Sequence, residues 1–205
     1  MSPLPQHRSA SNEHGTPPEI IEAARATLGG IDLDPASDAV FNRAVRATRW
    51  FGMEHNGLAQ VWRGRVFLNP PGGVDEATRD SRQAAWWWSL AERWKRGTVE
   101  AAIFVGFSIE ILQVAQDRGG LPEPLEFPFC VPRSRPKYRK QVVNADGKTE
   151  LVPQKSPPHA GVVVFLPPKC GSTSLLFQWE RRFVRAFSPI GRCANLETDA
   201  FLEMP

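Results

Sequence analysis

Asn69, Pro70 and Pro71 are the residues whose types and order could most directly do chemistry. They follow Val66-Phe67-Leu68, three apolar residues suited to a short strand packed on both faces. Proline cannot donate to a β-ladder, so the strand must stop at Pro70. Asn69 is thereby held at the carboxyl end of a strand, where open α/β sheets place their ligands. Its amide and the Pro70 carbonyl are then fixed acceptors aimed outward. A strand ended by an ordinary Pro-Gly turn, through Gly72-Gly73, is the other reading of the same residues.

Other stretches carry candidate groups. Thr16-Pro17-Pro18-Glu19 has the form of a capping box, with Thr16 as N-cap and proline at the first helical position. In Ile31-Asp32-Leu33-Asp34-Pro35-Ala36, acids alternate with apolar residues, which gives a short strand ended by Pro35. Asp32 and Asp34 could accept hydrogen bonds from ribose hydroxyls or a cationic ligand, or simply be solvated. No GxGxxG stands here. Asn56-Gly57 is a turn signal. Trp87, Leu90, Ala91 and Trp94 form a helical core stripe, with Trp86 and Trp88 about 100° to either side. Three indoles cannot share one buried face, so Trp86 or Trp88 is either packed under loops or free to stack on a flat ligand. Arg43, Arg46 and Arg49, at three-residue spacing, suit one helical face, solvated or turned to phosphates.

The elements that must position these groups alternate. A helix after Thr16 is followed by the Asp32–Asp34 strand, a basic segment and a strand at Trp50-Phe51. The Val66 strand leads to a helix over about 81–96, then a buried strand from Val99 and a helix Ile109–Gln116. A strand over Leu125–Val131, a hairpin, a strand Gly161–Leu166 and a helix over about 172–187 complete the order. Strands alternating with helices imply an α/β layered fold. Residues 1–15 read as a disordered tail, 16–188 as one domain and 189–205 as a loose C-terminal tail. The hairpin insertion, about 133–158, opens with five cations in eight residues, Arg133 to Lys140, among them Arg135 and Lys137 and interleaved with Tyr138. Asp146-Gly147 marks its turn. Such a hairpin suits a phosphate backbone, or is a solvated basic loop.

The bulk numbers narrow the classes. A chain of 205 residues supports one well-filled core. No apolar run is long enough for a membrane span and no signal segment opens the chain. Three scattered cysteines and four histidines have neither disulfide-framework nor metal-ligand spacing, which points to a reducing cytoplasm and no metal. The net charge of +3 does not by itself imply nucleic acid.

Taken together, Thr16-Pro17-Pro18-Glu19, Asp32-Leu33-Asp34-Pro35-Ala36, Asn56-Gly57-Leu58-Ala59-Gln60, Trp62 and Gly64 through Pro71 resemble the phage-type, Dam-like DNA N6-adenine methyltransferases. The likeness is dense over the first third of the chain and is one of element order beyond it. It implies a Rossmann-like methyltransferase fold, a central mixed sheet flanked by helices, with S-adenosylmethionine as donor and DNA as partner. It implies a site in which Asn69, Pro70 and Pro71 are catalytic. Thr16, Pro17, Asp32, Asp34, Pro35, Ala36, Asn56 and Asn69 would contact the cofactor. Trp86, Trp88, Arg133, Arg135, Lys137 and Tyr138 would contact the substrate. A phage or prophage origin and a bacterial cytoplasmic location follow from the same likeness. The chain departs from the family at Gly72, where an aromatic residue usually closes the turn and stacks on the flipped base, and at Asp34-Pro35-Ala36-Ser37, which replaces a glycine-rich loop. A non-catalytic nucleic-acid-binding module, or a methyltransferase acting on cytosine N4, RNA or a protein glutamine, stands as the alternative.

Overall fold

The computed structural model describes residues 14–75, 81–116, 118–144, 146–153 and 159–196. Nine strands are described: β1 Leu33–Asp34, β2 Arg49–Trp50, β3 Gly64–Leu68, β4 Val99–Gly106, β5 Phe129–Pro132, β6 Arg139–Val143, β7 Thr149–Pro153, β8 Val162–Leu166 and β9 Gly191–Ala194. The α-helices are α1 Pro18–Leu28, α2 Ala39–Val45, α3 Arg82–Lys95, α4 Ile111–Val114 and α5 Thr173–Phe187.

Seven strands form one mixed sheet in the order β2-β1-β3-β4-β8-β5-β9. β2, β1, β3 and β4 run parallel, while β8 is antiparallel to both β4 and β5, and β9 antiparallel to β5. Side chains alternate along each strand and so feed two cores. Val66 and Leu68 of β3, Ala102 and Phe104 of β4 and Val164 of β8 meet α3 through Trp87, Leu90 and Ala91. Phe67, Ile103, Val163 and Phe165 point to the other face, where Ile20, Ile21 and Leu28 of α1 and Phe183 and Phe187 of α5 cover them. The apolar runs expected to be buried strands are the three central ones, and both long helices fall within a residue or two of their expected bounds.

Several expectations are corrected. Thr16 does not cap α1: Pro17 holds the N-cap position with no side-chain hydrogen bond to the helix. Arg43, Arg46 and Arg49 share no helical face, because α2 ends at Val45, Arg46 takes a left-handed cap (φ 55°) and Arg49 lies in β2. The C-terminal segment is not all loose, since β9 adds an edge strand to β5; residues 197–205 lie outside the described ones. Gly15 is not part of a loose tail either, for it bridges Arg139; residues 1–13 lie outside the described ones. Cys130 and Cys193, distant in sequence, face each other across β5 and β9.

The hairpin is a separate two-stranded sheet, β6-β7, whose turn is held by Asn144 Oδ1 accepting from Asp146 N (3.2 Å) and Lys148 N (2.9 Å). It is tied to the body by the Gly15–Arg139 bridge and by Gln141 Nε2 donating to Asp38 Oδ2. Among the described residues no helix is long and apolar enough to cross a membrane.

Candidate functional site

From β1 the chain crosses outward to β2 and then returns to the other side of β1 as β3. The strand order therefore reverses between β1 and β3, and a crevice must open outside their carboxyl ends. Asp34 is the last residue of β1, and Asn69 is the first after β3. A cavity at that point is lined by His14, Gly15, Thr16, Asp34, Ala36, Ser37, Phe41, Asn69, Pro70 and Pro71, among others.

Asp34 sits on the cavity floor at 2 % exposure. Its Oδ1 accepts from Ala36 N at 3.2 Å. Burial pushes its carboxyl up to about 7, helped by the nearby Asp38 charge; the Ala36 N–H and the adjacent Ser37 hydroxyl oppose the rise. The Ser37 approach falls short of a formed hydrogen bond, because Ser37 Oγ is buried with no partner. Thr16 Oγ1 is buried without a partner too. Both residues are 4 % exposed, so neither hydroxyl is satisfied by bulk water. A buried orphan hydroxyl costs roughly 1–3 kcal/mol, and two of them line the cavity together with the raised Asp34 carboxyl.

Asn69 is partly buried, and its Nδ2 donates to His14 O at 2.5 Å. That bond fixes the amide plane and leaves Oδ1 as its accepting end. The segment His14–Thr16 thus lies across the cavity, held at Gly15 by reciprocal backbone bonds to Arg139 of 2.8 and 2.7 Å. Burial and the nearby Lys140 charge hold the His14 imidazole below its ordinary range. With this segment in place the cavity is about 30 Å³, room for roughly two waters. A nucleoside-sized ligand therefore requires the segment to move.

The loop at Asn56 comes close beneath. A Cβ on Gly57 would lie 1.9 Å from Pro35 O, so only glycine allows the approach. Trp62 Nε1 donates to Gly57 O (2.8 Å) and Arg93 to Leu58 O (2.8 Å), which pins the loop. Asn56 itself is exposed and does not line the cavity. The fold therefore brings Thr16, Asp34, Ala36, Asn69, Pro70 and Pro71 around one cavity, with Pro17 and Pro35 adjoining in the chain. Ser37 and His14, which pattern reading did not single out, belong to it.

Asp32 does something else. It lies before β1, at the opposite end of that strand, and grips Arg65 twice (2.8 and 2.9 Å) while also accepting from Arg65 N (2.8 Å). The guanidinium beside it holds its carboxyl below the usual range. A carboxylate with both oxygens so engaged braces β1 against β3 and is not placed to reach a ligand in the cavity.

The tryptophans divide differently from either expectation. Trp86 is buried and stacked on Trp62 (centroids 5.8 Å apart), with only its margin reaching the cleft that Trp88 lines. Trp88 is partly buried, with the Arg118 guanidinium 3.7 Å over its ring, and lines a second cleft of about 690 Å³ with Ser89, Glu92 and Leu121. Tyr138 is also corrected: it is buried at 5 % exposure in the core under α1 and α5, and burial raises its phenol above the ordinary range, so it cannot reach a phosphate. Arg133, Arg135 and Lys137 are exposed on the approach to β6, with Arg133 Nη1 bonded to Pro189 O (2.7 Å).

Gly72 has a neighbour that the sequence did not reveal. A Cβ there would stand 2.9 Å from Cε1 and 3.2 Å from Cζ of Phe107. Phe107 follows β4 directly, on the same edge of the sheet as Asn69. Among the described residues no group of three or more His, Cys, Asp or Glu side chains is placed to hold a metal. No family model, curated protein or solved structure matches the chain.

Proposed function

We propose that the protein is an S-adenosylmethionine-dependent methyltransferase acting on the N6 amine of adenine in DNA. One observation carries the reading: the Asn69-Pro70-Pro71 turn, the buried Asp34 and two orphan hydroxyls share one cavity at the switch point of a mixed α/β sheet. The sequence resemblance gives those positions their roles, and a mixed sheet flanked by helices is compatible with a Rossmann-like methyltransferase fold.

The cavity groups suit the cofactor. Asp34 and the Thr16 and Ser37 hydroxyls are hydrogen-bonding groups in need of partners, and a nucleoside carrying an amino acid offers hydroxyl and amine donors together with carboxylate acceptors. Asp34, Ala36 and Ser37 would hold it, and the His14–Thr16 segment, displaced to admit it, would return Thr16 against it. When bound, S-adenosylmethionine supplies an electrophilic methyl group.

The chain's own part is to make a poor nucleophile competent. An exocyclic amine on a base is planar, with its lone pair delocalised into the ring. Asn69 Oδ1 and the Pro70 carbonyl accept its two hydrogens. Acceptors fixed on both N–H bonds favour the pyramidal nitrogen, on which positive charge develops, over the planar ground state, and so stabilise the transition state selectively. The proline pair makes the turn rigid, so the acceptors need not reorganise. A duplex base must be extruded to reach this turn. The exposed cations from Arg133 to Lys148 would grip phosphates meanwhile.

The test is transfer of labelled methyl from S-adenosylmethionine to unmethylated duplex DNA, followed by nucleoside analysis. The expected product is N6-methyladenine, with Asn69→Ala lowering kcat by about a hundredfold or more. Label in another nucleoside keeps the amine chemistry and moves the substrate. Absence of label from nucleic acid, with cofactor bound, overturns the reading in favour of a binding module or a protein acceptor.

A further inference from the structure

The acceptor pair at Asn69 and Pro70 can hold the edge of a base but not its faces. A base drawn out of a duplex loses its stacking on both sides, and sites that receive one usually return a stacking surface. The turn itself has none to offer, because the residue after Asn69-Pro70-Pro71 is glycine. The two tryptophans flanking the α3 core stripe do not serve either. One is stacked on Trp62, the other lies under Arg118, and both line a second cleft rather than the Asn69 cavity.

Phe107 fits the need. It leaves β4 at the carboxyl edge of the strand beside β3, and its outer ring atoms reach the space that a side chain on Gly72 would fill. It is held from two sides. Its N–H donates to Oε1 of Gln83 (3.0 Å), a residue of α3 that is only 4 % exposed, and its ring meets His159 edge-on with centroids 5.2 Å apart. Gln83 is polar within an otherwise apolar helix face, and its Oε1 fixes this backbone position. The core phenylalanines Phe67, Phe104, Phe165, Phe183 and Phe187 are at most 1 % exposed, whereas Phe107 stays partly exposed. Phe107 packs against the core under α1 and α5 and leaves the outer part of its ring at the lip of the turn.

We propose that Phe107 is the stacking residue of this site: it supplies, from the end of the adjacent strand, the aromatic face that the Asn69-Pro70-Pro71 turn lacks, and Gly72 is glycine to clear space for its ring. The inference rests on the base-amine reading above.

Two measurements test it. The first is the steady-state kinetics of methyl transfer to duplex DNA by the full chain. Phe107→Leu should lower kcat/KM for DNA roughly 5- to 150-fold, the range that base–aromatic stacking commands, while S-adenosylmethionine affinity and thermal midpoint stay near wild type. Phe107→Tyr should recover most of the loss. The double variant Phe107→Ala/Gly72→Tyr should outperform Phe107→Ala, since the ring returns from the turn. A Phe107→Leu enzyme within threefold of wild type, or a double variant no better than the single, overturns the inference while leaving the amine reading standing.

The second measurement needs no turnover. Short oligonucleotides carrying 2-aminopurine are titrated with wild type and with Phe107→Leu, reading fluorescence and anisotropy separately. Stacking on Phe107 predicts a fluorescence change that Phe107→Leu abolishes at equal DNA affinity. An unchanged fluorescence response in the variant overturns the proposal. If wild type binds DNA but transfers no methyl to it, the catalytic reading fails and this second measurement still decides the role of Phe107.

Discussion

Asp34 shows how one residue can store a ligand's place. Its carboxyl is buried and raised from 3.8 to about 7, so the folded protein prefers it protonated. A raised carboxyl gives stability that is complete below the unfolded value and lost as pH climbs through the folded one, here a window from about pH 4 to about pH 7. Between pH 5 and pH 8 the wild type should lose about 2–3 kcal/mol of unfolding free energy through this group. Asp34→Asn should not lose it, and urea unfolding at the two pH values measures the difference. Equal pH dependence in the two proteins would show that Asp34 is not buried as described. The same residue marks a limit of sequence reading. Asp32 and Asp34 look alike in Ile-Asp-Leu-Asp-Pro, yet one grips Arg65 and the other floors the cavity. The deciding factor is that Asp32 precedes the two-residue strand while Asp34 ends it, and which long-range partner the fold brings to each.

At the scale of elements, the strands read most easily were those with unbroken apolar runs, because both faces of β3, β4 and β8 are covered. β9 was unreadable for the opposite reason. Gly191-Arg192-Cys193-Ala194 is a short polar edge strand whose only warrant is its pairing with β5. That pairing sets Cys193 opposite Cys130, and the contact between them holds the Cys193 thiol below, and the Cys130 thiol above, the ordinary range. Directly opposed residues on antiparallel strands have Cα atoms about 4.5–5.5 Å apart, which a disulfide can span. Mild oxidation with diamide should therefore leave one of the three thiols to react with Ellman's reagent in denaturant, where the buried Cys130 is also counted, while the protein stays monomer-sized on a non-reducing gel. Three reactive thiols after treatment would contradict the β5–β9 register. Thr16 was misread at this scale as well. Thr-Pro-Pro-Glu satisfies every local rule for a helix cap, but Pro17 takes the position and the hydroxyl is turned to the cavity.

For the whole molecule, the net charge of +3 hides its distribution. Lys137, Lys140 and Lys148 are exposed on the hairpin and its approach, away from the sheet's two cores. If duplex DNA docks there, its affinity falls linearly with the logarithm of salt concentration, and replacing these three lysines by glutamine should flatten that slope by about 2–3 with no change in thermal midpoint. An unchanged slope would move the nucleic-acid face elsewhere. Gly72 lies in the turn after β3 and Phe107 follows β4, and the two crowd one space. A side chain at 72 meets the ring at 107, which must swing aside to admit it, and losing that ring first leaves the turn bare. A chain carrying this pair and one carrying an aromatic turn are thus neighbours in shape but separated in mutational order, since each single step between them passes through a site with two rings in conflict or none.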